Sequence, residues 1–178
     1  MTQPYPTRIT SPIDPTMTSK KGTMPYTVPF VTIHQQVERE LEVVHNTTEI
    51  GEILERMGLA SSVQEELWVG LLDGARQVRG IYPVAKGGYH DCDISIPTLL
   101  SPVFLGATDR FFIAHNHPSS DLTPTQHDLE LTWRITQAAD VLDLMFEDHL
   151  IVTPSGRWHS MRGARQMRPS TKSKVASK

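Results

Sequence analysis

Cysteine is nearly absent from this sequence of 178 residues, in which Cys92 is the single one. One thiol excludes an intramolecular disulfide framework, and such scarcity is typical of a reducing compartment. The chain also opens without the basic and then apolar segment of a secretory signal. We therefore expect a cytoplasmic protein.

Long hydrophobic runs are missing as well. The longest apolar stretch, Leu67–Leu72, is far shorter than the roughly 20 residues of a membrane-spanning helix. Apolar residues make up 38% and charged residues 21% of the chain, which is ordinary for a soluble globular protein. The length suits one domain, and we expect no membrane contact.

The chain also lacks a strong net charge. The formal charge of −3 excludes a strong overall attraction to nucleic acid. Basic residues nevertheless gather at the end of the chain, with no acidic residue among them: Arg162, Arg165, Arg168, Lys172, Lys174 and Lys178. We predict a flexible basic tail over 163–178, which acts either as a solubilising terminus or as a weak nucleic-acid contact.

Proline dominates the other end of the chain. Residues 1–29 hold six of the 13 prolines, so we predict a disordered leader there and a folded domain over 30–162. Within that domain, apolar spacing and turn signals predict strands and helices in alternation. Strands are predicted near 31–33, 65–72, 77–85, 111–114, 146–152 and 157–161. This order predicts an α/β fold, a sheet covered by helices.

Three predicted helices have recognisable ends. The first is capped by Thr47 or Thr48 and stops at Gly58, and the second starts at Pro97. The third runs to about Asp143. Its start has Thr123 as N-cap, Pro124 as the first helical residue and Gln126 as capping-box partner. Its core-facing residues are predicted to be Leu131, Ile135, Ala138 and Leu142.

Two histidines directly follow the most apolar predicted strand. Residues two apart in extended backbone point the same way, so His115 and His117 can converge. Asp128 is predicted in the second turn of the next helix, at the edge of its core-facing stripe. Two neutral imidazoles and a carboxylate suit Zn²⁺ and leave a fourth position for water. The alternative is a helix-start carboxylate stabilised by the helix dipole, without metal.

A longer motif surrounds these residues. The chain reads HNHPSSDLTPTQHD from His115 to Asp128, EDHLIV over 147–152 and QEELWVGLLD over 64–73. This combination resembles the RadC-like branch of the JAB/MPN (JAMM) metallohydrolases over about residues 30–161. The resemblance implies the cytidine-deaminase-like MPN fold, a mixed β-sheet flanked by helices. It also implies one zinc held by His115, His117 and Asp128, and an upstream glutamate that takes a proton from the attacking water.

The matching glutamate is Glu65. Strand alternation alone does not choose between Glu65 and Glu66, which lie on opposite faces of an extended segment. Thr125 stands where the family has serine, and its hydroxyl is a candidate donor to a developing oxyanion. Two further departures are Pro97-Thr98-Leu99 in place of Pro-Arg-Glu, and Ser120 in place of glycine.

Other candidate ligands are weaker. His90 and Cys92 have ligand spacing but no capped helix or further cysteine near them, and His127 is predicted to point away from the site. Asp148 and His149 match a pair typical of the family, which we interpret as sheet structure.

Three functions remain open. The leading hypothesis is a zinc metallopeptidase or isopeptidase that cleaves a peptide or isopeptide of unknown identity. The alternative is a RadC-type DNA-repair-associated accessory protein that contacts DNA through the basic tail. The third is a metal-stabilised scaffold without turnover, for which Thr125 is the only hint.

Overall fold

The computed structural model describes residues 42–87 and 94–167, which lie in one compact unit. The predicted leader and the strand near 31–33 lie outside the described residues. The helices are α1 (Thr47–Arg56), α2 (Ile96–Leu105) and α3 (Gln126–Val141), with a 3-10 turn at Leu59–Ser61. The strands are β1 (Glu66–Leu72), β2 (Val78–Lys86), β3 (Arg110–Asn116), β4 (Met145–Val152) and β5 (Trp158–Ser160).

In the described residues these strands form a mixed sheet in the order β2-β1-β3-β4-β5. Strand β1 is antiparallel to β2 and β3, β3 is parallel to β4, and β5 is antiparallel to β4. The predicted α/β fold with a mixed, helix-flanked sheet is confirmed. Because β3 is central, its apolar run is covered on both faces, as a continuous hydrophobic stretch predicts.

Each face of the sheet supports its own core. On the first, here called the α3 face, Leu67, Val69 and Ile113 pack with residues of α2 and α3. On the second, the α1 face, Phe112 and Ala114 pack with residues of α1. Alternation along β1 and β3 therefore decides which side chains meet α3.

Helix α1 begins one or two residues earlier than the alternative caps Thr47 and Thr48 predict. Its N-cap is Asn46, whose side chain accepts a hydrogen bond from the Glu49 amide, so the predicted caps Thr47 and Thr48 are wrong. Asparagine satisfies the free amides of a first turn as well as threonine does. The predicted end is correct, because Gly58 follows the helix with a φ of 89°.

Helix α3 begins two residues later than predicted. Thr125 is the N-cap and Asp128 its capping-box partner, so the cap at Thr123 and the pairing with Gln126 are wrong. Asp128 consequently lies in the first turn of α3, not the second. The buried stripe also shifts, since Ala139 is buried whereas Leu142 is 45% exposed. The sequence offers two Thr-x-x-polar patterns here, and packing selects the second.

Strand β4 contains an irregularity that sequence periodicity does not reveal. Phe111 pairs with Phe146, but Ile113 pairs with His149, so β4 uses one more residue than β3 between these pairs. An extra residue in one strand changes which face the following side chains occupy. His149 therefore lies on the same side as Ile113, which is the α3 face.

The fold continues through the start of the segment predicted as a tail. Met161 and Met167 are buried in the core of the α3 face. The guanidinium of Arg162 donates to the carbonyl oxygens of Phe146 and Glu147. Residues 168–178 of the predicted tail lie outside the described residues.

Candidate metal centre

Strand β3 carries the two histidines to the end of the sheet. His115 pairs with Leu67 of β1 and shares the α3 face with it, whereas Asn116 lies on the opposite side. His117 follows the strand and is 5% exposed, and His115 is 0% exposed. Their Nε2 atoms lie 2.9 Å apart, so the two imidazoles converge as the spacing predicts.

Asp128 closes the group from helix α3. Its carboxylate is wholly buried, with Oδ1 3.2 Å from Nε2 of His115 and Oδ2 3.6 Å from Nε2 of His117. The same Oδ2 accepts hydrogen bonds from the amide (2.7 Å) and hydroxyl (2.6 Å) of Thr125. Asp128 is thus both a helix-cap carboxylate and a member of the histidine cluster. The metal-ligand hypothesis and the helix-cap hypothesis for Asp128 therefore do not exclude each other.

The spacing of these atoms suits a metal ion. One ligand atom from each of the three residues can be chosen so that all lie within 4.8 Å of one another. A tetrahedral zinc with bonds of 2.0–2.2 Å holds its ligand atoms about 3.3 Å apart. The two Nε2 atoms lie 2.9 Å apart, and each lies near a different carboxylate oxygen, 3.2 Å from Oδ1 for His115 and 3.6 Å from Oδ2 for His117. These separations lie around that value. His115, His117 and Asp128 can therefore hold a metal ion, with a donor set that fits zinc.

Each of the two histidines makes a hydrogen bond through its Nδ1, on the side of the ring away from the cluster. Nδ1 of His117 lies 2.6 Å from the backbone oxygen of Asp121, which can only accept, so Nδ1 carries the proton. Nδ1 of His115 lies 2.8 Å from Nε2 of His149. Buried lone pairs that face one another repel unless a cation or a proton lies among them.

The charges of the site act on His117. Burial is the largest influence and lowers the pKa of His117, but hydrogen bonds to Asp128 and Asp121 and the charges of Asp128 and Glu65 outweigh it. The pKa of His117 is consequently raised above its ordinary value. Burial has the opposite net result at His149, where it lowers the pKa to about 4, so this ring is neutral near pH 7.

His149 contacts His115, and Thr132 contacts His149. The sequence does not predict either residue as a neighbour of the candidate ligands. The two residues make a 2.6 Å hydrogen bond through Nδ1 of His149 and Oγ1 of Thr132. Asp148, predicted beside His149 as sheet structure, contacts other parts of the chain. Its carboxylate accepts hydrogen bonds from Thr47, Ser160 and the amides of His149 and Arg162. Because the extra residue in β4 is not visible in the sequence pattern, simple alternation does not predict these partners of Asp148 and His149.

Glu65 and Glu66 lie in different surroundings. The Glu66 side chain is an acceptor for Ser62, Trp68 and Lys86, and these contacts lower its pKa, the hydrogen bond to Lys86 most of all. Glu65 precedes β1, two residues before Leu67, which pairs with His115. The charge of Glu65 is among the causes that raise the pKa of His117. Of the two glutamates, Glu65 is therefore the one whose charge acts on the cluster.

Asn116, between the two histidines, anchors the segment that carries Glu65. Its Oδ1 accepts from the Glu66 amide at 2.8 Å, and its Nδ2 donates to the carbonyl oxygens of Ser62 and Gln64 at 3.0 Å. Asn116 is 0% exposed, and its bond to the Glu66 amide is buried, whereas the two bonds to carbonyl oxygens are partly buried. One tripeptide thus supplies both imidazoles and the support of the adjacent glutamate segment.

The remaining candidates lie elsewhere. Among the described residues, the potential metal cluster comprises His115, His117 and Asp128 and does not include His127. His90 and Cys92 lie outside the described residues. The hydroxyl of Thr125 donates to Asp128, so an oxyanion role for it stays a prediction.

A mixed sheet with a buried His-His-Asp cluster at the end of its central strand defines the class of this protein as an α/β domain with a potential metal centre. A model of the family described as RadC-like JAB domain matches residues 44–167. The chain belongs to this family.

Relatives support the assignment. A UPF0758 protein of Porphyromonas gingivalis is 30% identical over 97 residues, 54% of this chain and 43% of the relative. A UPF0758 protein of Psychrobacter arcticus is 35% identical over 94 residues, 53% of this chain and 41% of the relative. Another, of Carboxydothermus hydrogenoformans, is 30% identical over 110 residues, 62% of this chain and 48% of the relative. The chain spans less than half the length of these relatives.

Within the part of the chain that the structure describes, none of the helices combines the length and apolarity needed to cross a bilayer.

Proposed function

We propose that this protein is a zinc-dependent hydrolase of amide or isopeptide bonds. The observation that carries the proposal is the convergence of Nε2 of His115, Nε2 of His117 and the Asp128 carboxylate at one buried point. Two nitrogens and a carboxylate leave one position open in a tetrahedral site, which is typical of catalytic rather than structural zinc.

The residues divide the work as follows. His115, His117 and Asp128 hold the metal, which supplies Lewis-acid chemistry to polarise a carbonyl and acidify water. Glu65 takes the proton of the attacking water and passes it to the leaving amine. The charge of Glu65 is the smallest of the causes that raise the pKa of His117, and this direction supports the role. Thr125 orients Asp128 through its amide and its hydroxyl. The hydroxyl has a single proton, so it is a candidate donor to the oxyanion only when that proton turns away from Asp128.

The substrate class follows from the resemblance to JAB/MPN metallohydrolases and from the chemistry of the donor set. A zinc centre with an adjacent carboxylate base suits hydrolysis of an unactivated amide, in which both carbonyl polarisation and leaving-group protonation are needed. We assign a peptide or an isopeptide as the substrate.

Metal analysis of the purified protein tests the first step. We expect about one zinc per chain when no chelator is used. The double change His115→Ala with His117→Ala should abolish zinc binding, whereas the control change His127→Ala with His159→Ala should retain it. Full zinc occupancy in the first variant would overturn the assigned site.

Cleavage assays test the second step. Zinc-loaded protein is incubated with a panel of peptides and lysine-linked isopeptides, and new amines are quantified. Turnover should require zinc and disappear in the His115→Ala, His117→Ala variant. Activity that is equal in that variant and in the wild type would contradict the proposed hydrolase.

A further inference from the structure

A chain of buried hydrogen bonds runs behind the candidate metal ligands. It begins at Nδ1 of His115, passes through the ring of His149 to Oγ1 of Thr132, and ends at the backbone oxygen of Asp128. The successive distances are 2.8, 2.6 and 2.6 Å. His115 and His149 are 0% exposed and Thr132 is 1% exposed, so water does not compete for these bonds.

The direction of this chain follows from its last member. Oγ1 of Thr132 contacts two groups that only accept, the backbone oxygen of Asp128 at 2.6 Å and Sδ of Met161 at 3.3 Å, and its single hydroxyl proton points to the nearer one, Asp128. Oγ1 of Thr132 must then accept from Nδ1 of His149. A neutral imidazole protonated on Nδ1 presents a lone pair on Nε2, which accepts the Nδ1 proton of His115. The remaining lone pair of His115 is left on Nε2, which is the atom that faces His117 and Asp128.

We infer that His149 is a positioning residue, which together with Thr132 fixes the metal-binding tautomer of His115. The inference rests on the proposed zinc site and assigns these two residues a part in its affinity. A partner that holds the second ring nitrogen fixes ring orientation and raises ligand basicity. Because the chain ends on Asp128 itself, it connects two ligands from different elements, β3 and α3, through a residue of β4.

Zinc affinity measured by competition with a chromophoric chelator tests the inference without any substrate. His149→Phe keeps a ring but removes the acceptor, so zinc affinity should fall by about 10–100-fold, the usual effect of losing such a partner. His149→Gln can restore an acceptor near the position of Nε2 and should recover part of the loss. Far-UV circular dichroism and thermal unfolding identify variants that do not fold.

A matched pair on α3 separates positioning from packing. Thr132 and Thr136 are both buried, and the hydroxyl of each donates to the backbone oxygen four residues earlier. Thr132 also contacts His149. Thr132→Val should therefore weaken zinc binding by roughly 10-fold, whereas Thr136→Val should leave it unchanged. This pair keeps the inference testable if His149→Phe does not fold.

The tautomer itself is read from nitrogen-15 resonances of the histidine rings. In zinc-loaded wild-type protein, His115 should carry a slowly exchanging proton on Nδ1, and that proton should exchange faster in Thr132→Val. Absence of zinc binding in the wild type would refute the proposed site. Wild-type zinc affinity in folded His149→Phe, or equal affinities of Thr132→Val and Thr136→Val, would refute the inference alone.

Discussion

At the scale of single residues, the main question is which carboxylate serves as the base. Glu65 acts electrostatically on His117, whereas Glu66 is held by Ser62, Trp68 and Lys86. Glu65 is therefore the candidate base, and the adjacent Glu66 serves as the control.

Glu65→Gln should lower hydrolysis by about 10²–10⁴-fold, because it keeps the shape of the side chain but removes its basicity. Zinc content should be unchanged, since Glu65 is not assigned as a ligand. Glu66→Gln should have close to wild-type activity. Once a cleavable substrate is known, equal rates for Glu65→Gln and the wild type would eliminate the proposed base.

The same two variants allow a test in the metal-free protein. The negative charge of Glu65 raises the pKa of His117, so Glu65→Gln should lower that pKa and Glu66→Gln should not. Titration of the His117 ring by nuclear magnetic resonance gives the answer. A drop caused by the Glu66 change instead would reverse the assignment of the two glutamates.

Thr125 is the second residue whose role can be separated by substitution. Its hydroxyl caps α3 and donates to Asp128. Thr125→Val should therefore destabilise the protein by about 1 kcal/mol, as expected for a lost N-cap, and should also weaken zinc binding. Thr125→Ser should retain stability, affinity and activity.

Saturating zinc distinguishes positioning from oxyanion stabilisation in these Thr125 variants. If hydrolysis by Thr125→Val remains reduced when the site is full, the hydroxyl also acts on the reaction. Unfolding in urea and chelator competition measure the other two quantities. Identical stability and affinity for the valine variant would contradict the positioning role.

At the scale of secondary structure elements, Asn116 connects the end of β3 to the segment before β1. Its three hydrogen bonds hold backbone groups of Ser62, Gln64 and Glu66. Asn116→Leu, of similar size, should lower the free energy of unfolding by about 2–4 kcal/mol, because three hydrogen bonds are lost and the buried amide of Glu66 loses its side-chain acceptor.

Asn116→Leu should affect function by releasing the backbone on both sides of Glu65. Zinc binding by folded Asn116→Leu should persist, since Asn116 points away from the face of His115, but hydrolysis should fall. Combining Asn116→Leu with Glu65→Gln should add little further loss, because both changes act on the same step. Wild-type stability of Asn116→Leu in urea would show that the anchor is dispensable.

At the scale of the whole molecule, the basic segment beyond the described fold is the feature that favours nucleic acid. Arg162 belongs to the fold because it binds the backbone of β4, and Arg165 is an exposed residue of the described fold. The other basic residues of the segment follow Met167. We predict weak binding to DNA that weakens with salt and is lost when residues 168–178 are deleted.

Fluorescence anisotropy with labelled duplexes of two unrelated sequences measures this binding, and zinc content after deletion confirms that the domain is intact. Tight, sequence-selective binding that survives the deletion would favour the DNA-associated accessory protein over the hydrolase. Equal affinity at low and high salt would contradict a tail-mediated contact.

Local signals in the sequence were sufficient for the α/β class and the convergence of the histidine pair. The apolar run before His115 predicts a strand covered on both faces, and two-residue spacing in extended backbone places both imidazoles on one side. These features depend on neighbouring residues alone. The motif as a whole also indicated the family correctly, because its spacing includes the helix that carries Asp128.

Only the tertiary structure decided which of several equivalent local signals is used. Thr125 rather than Thr123 caps α3 because the second pattern brings Asp128 to the histidines. The extra residue in β4 places His149 against His115, although simple alternation from Phe146 would place it on the other face. Cap choice and strand register depend on contacts between segments distant in sequence, and such contacts exist only after the sheet and helix have packed.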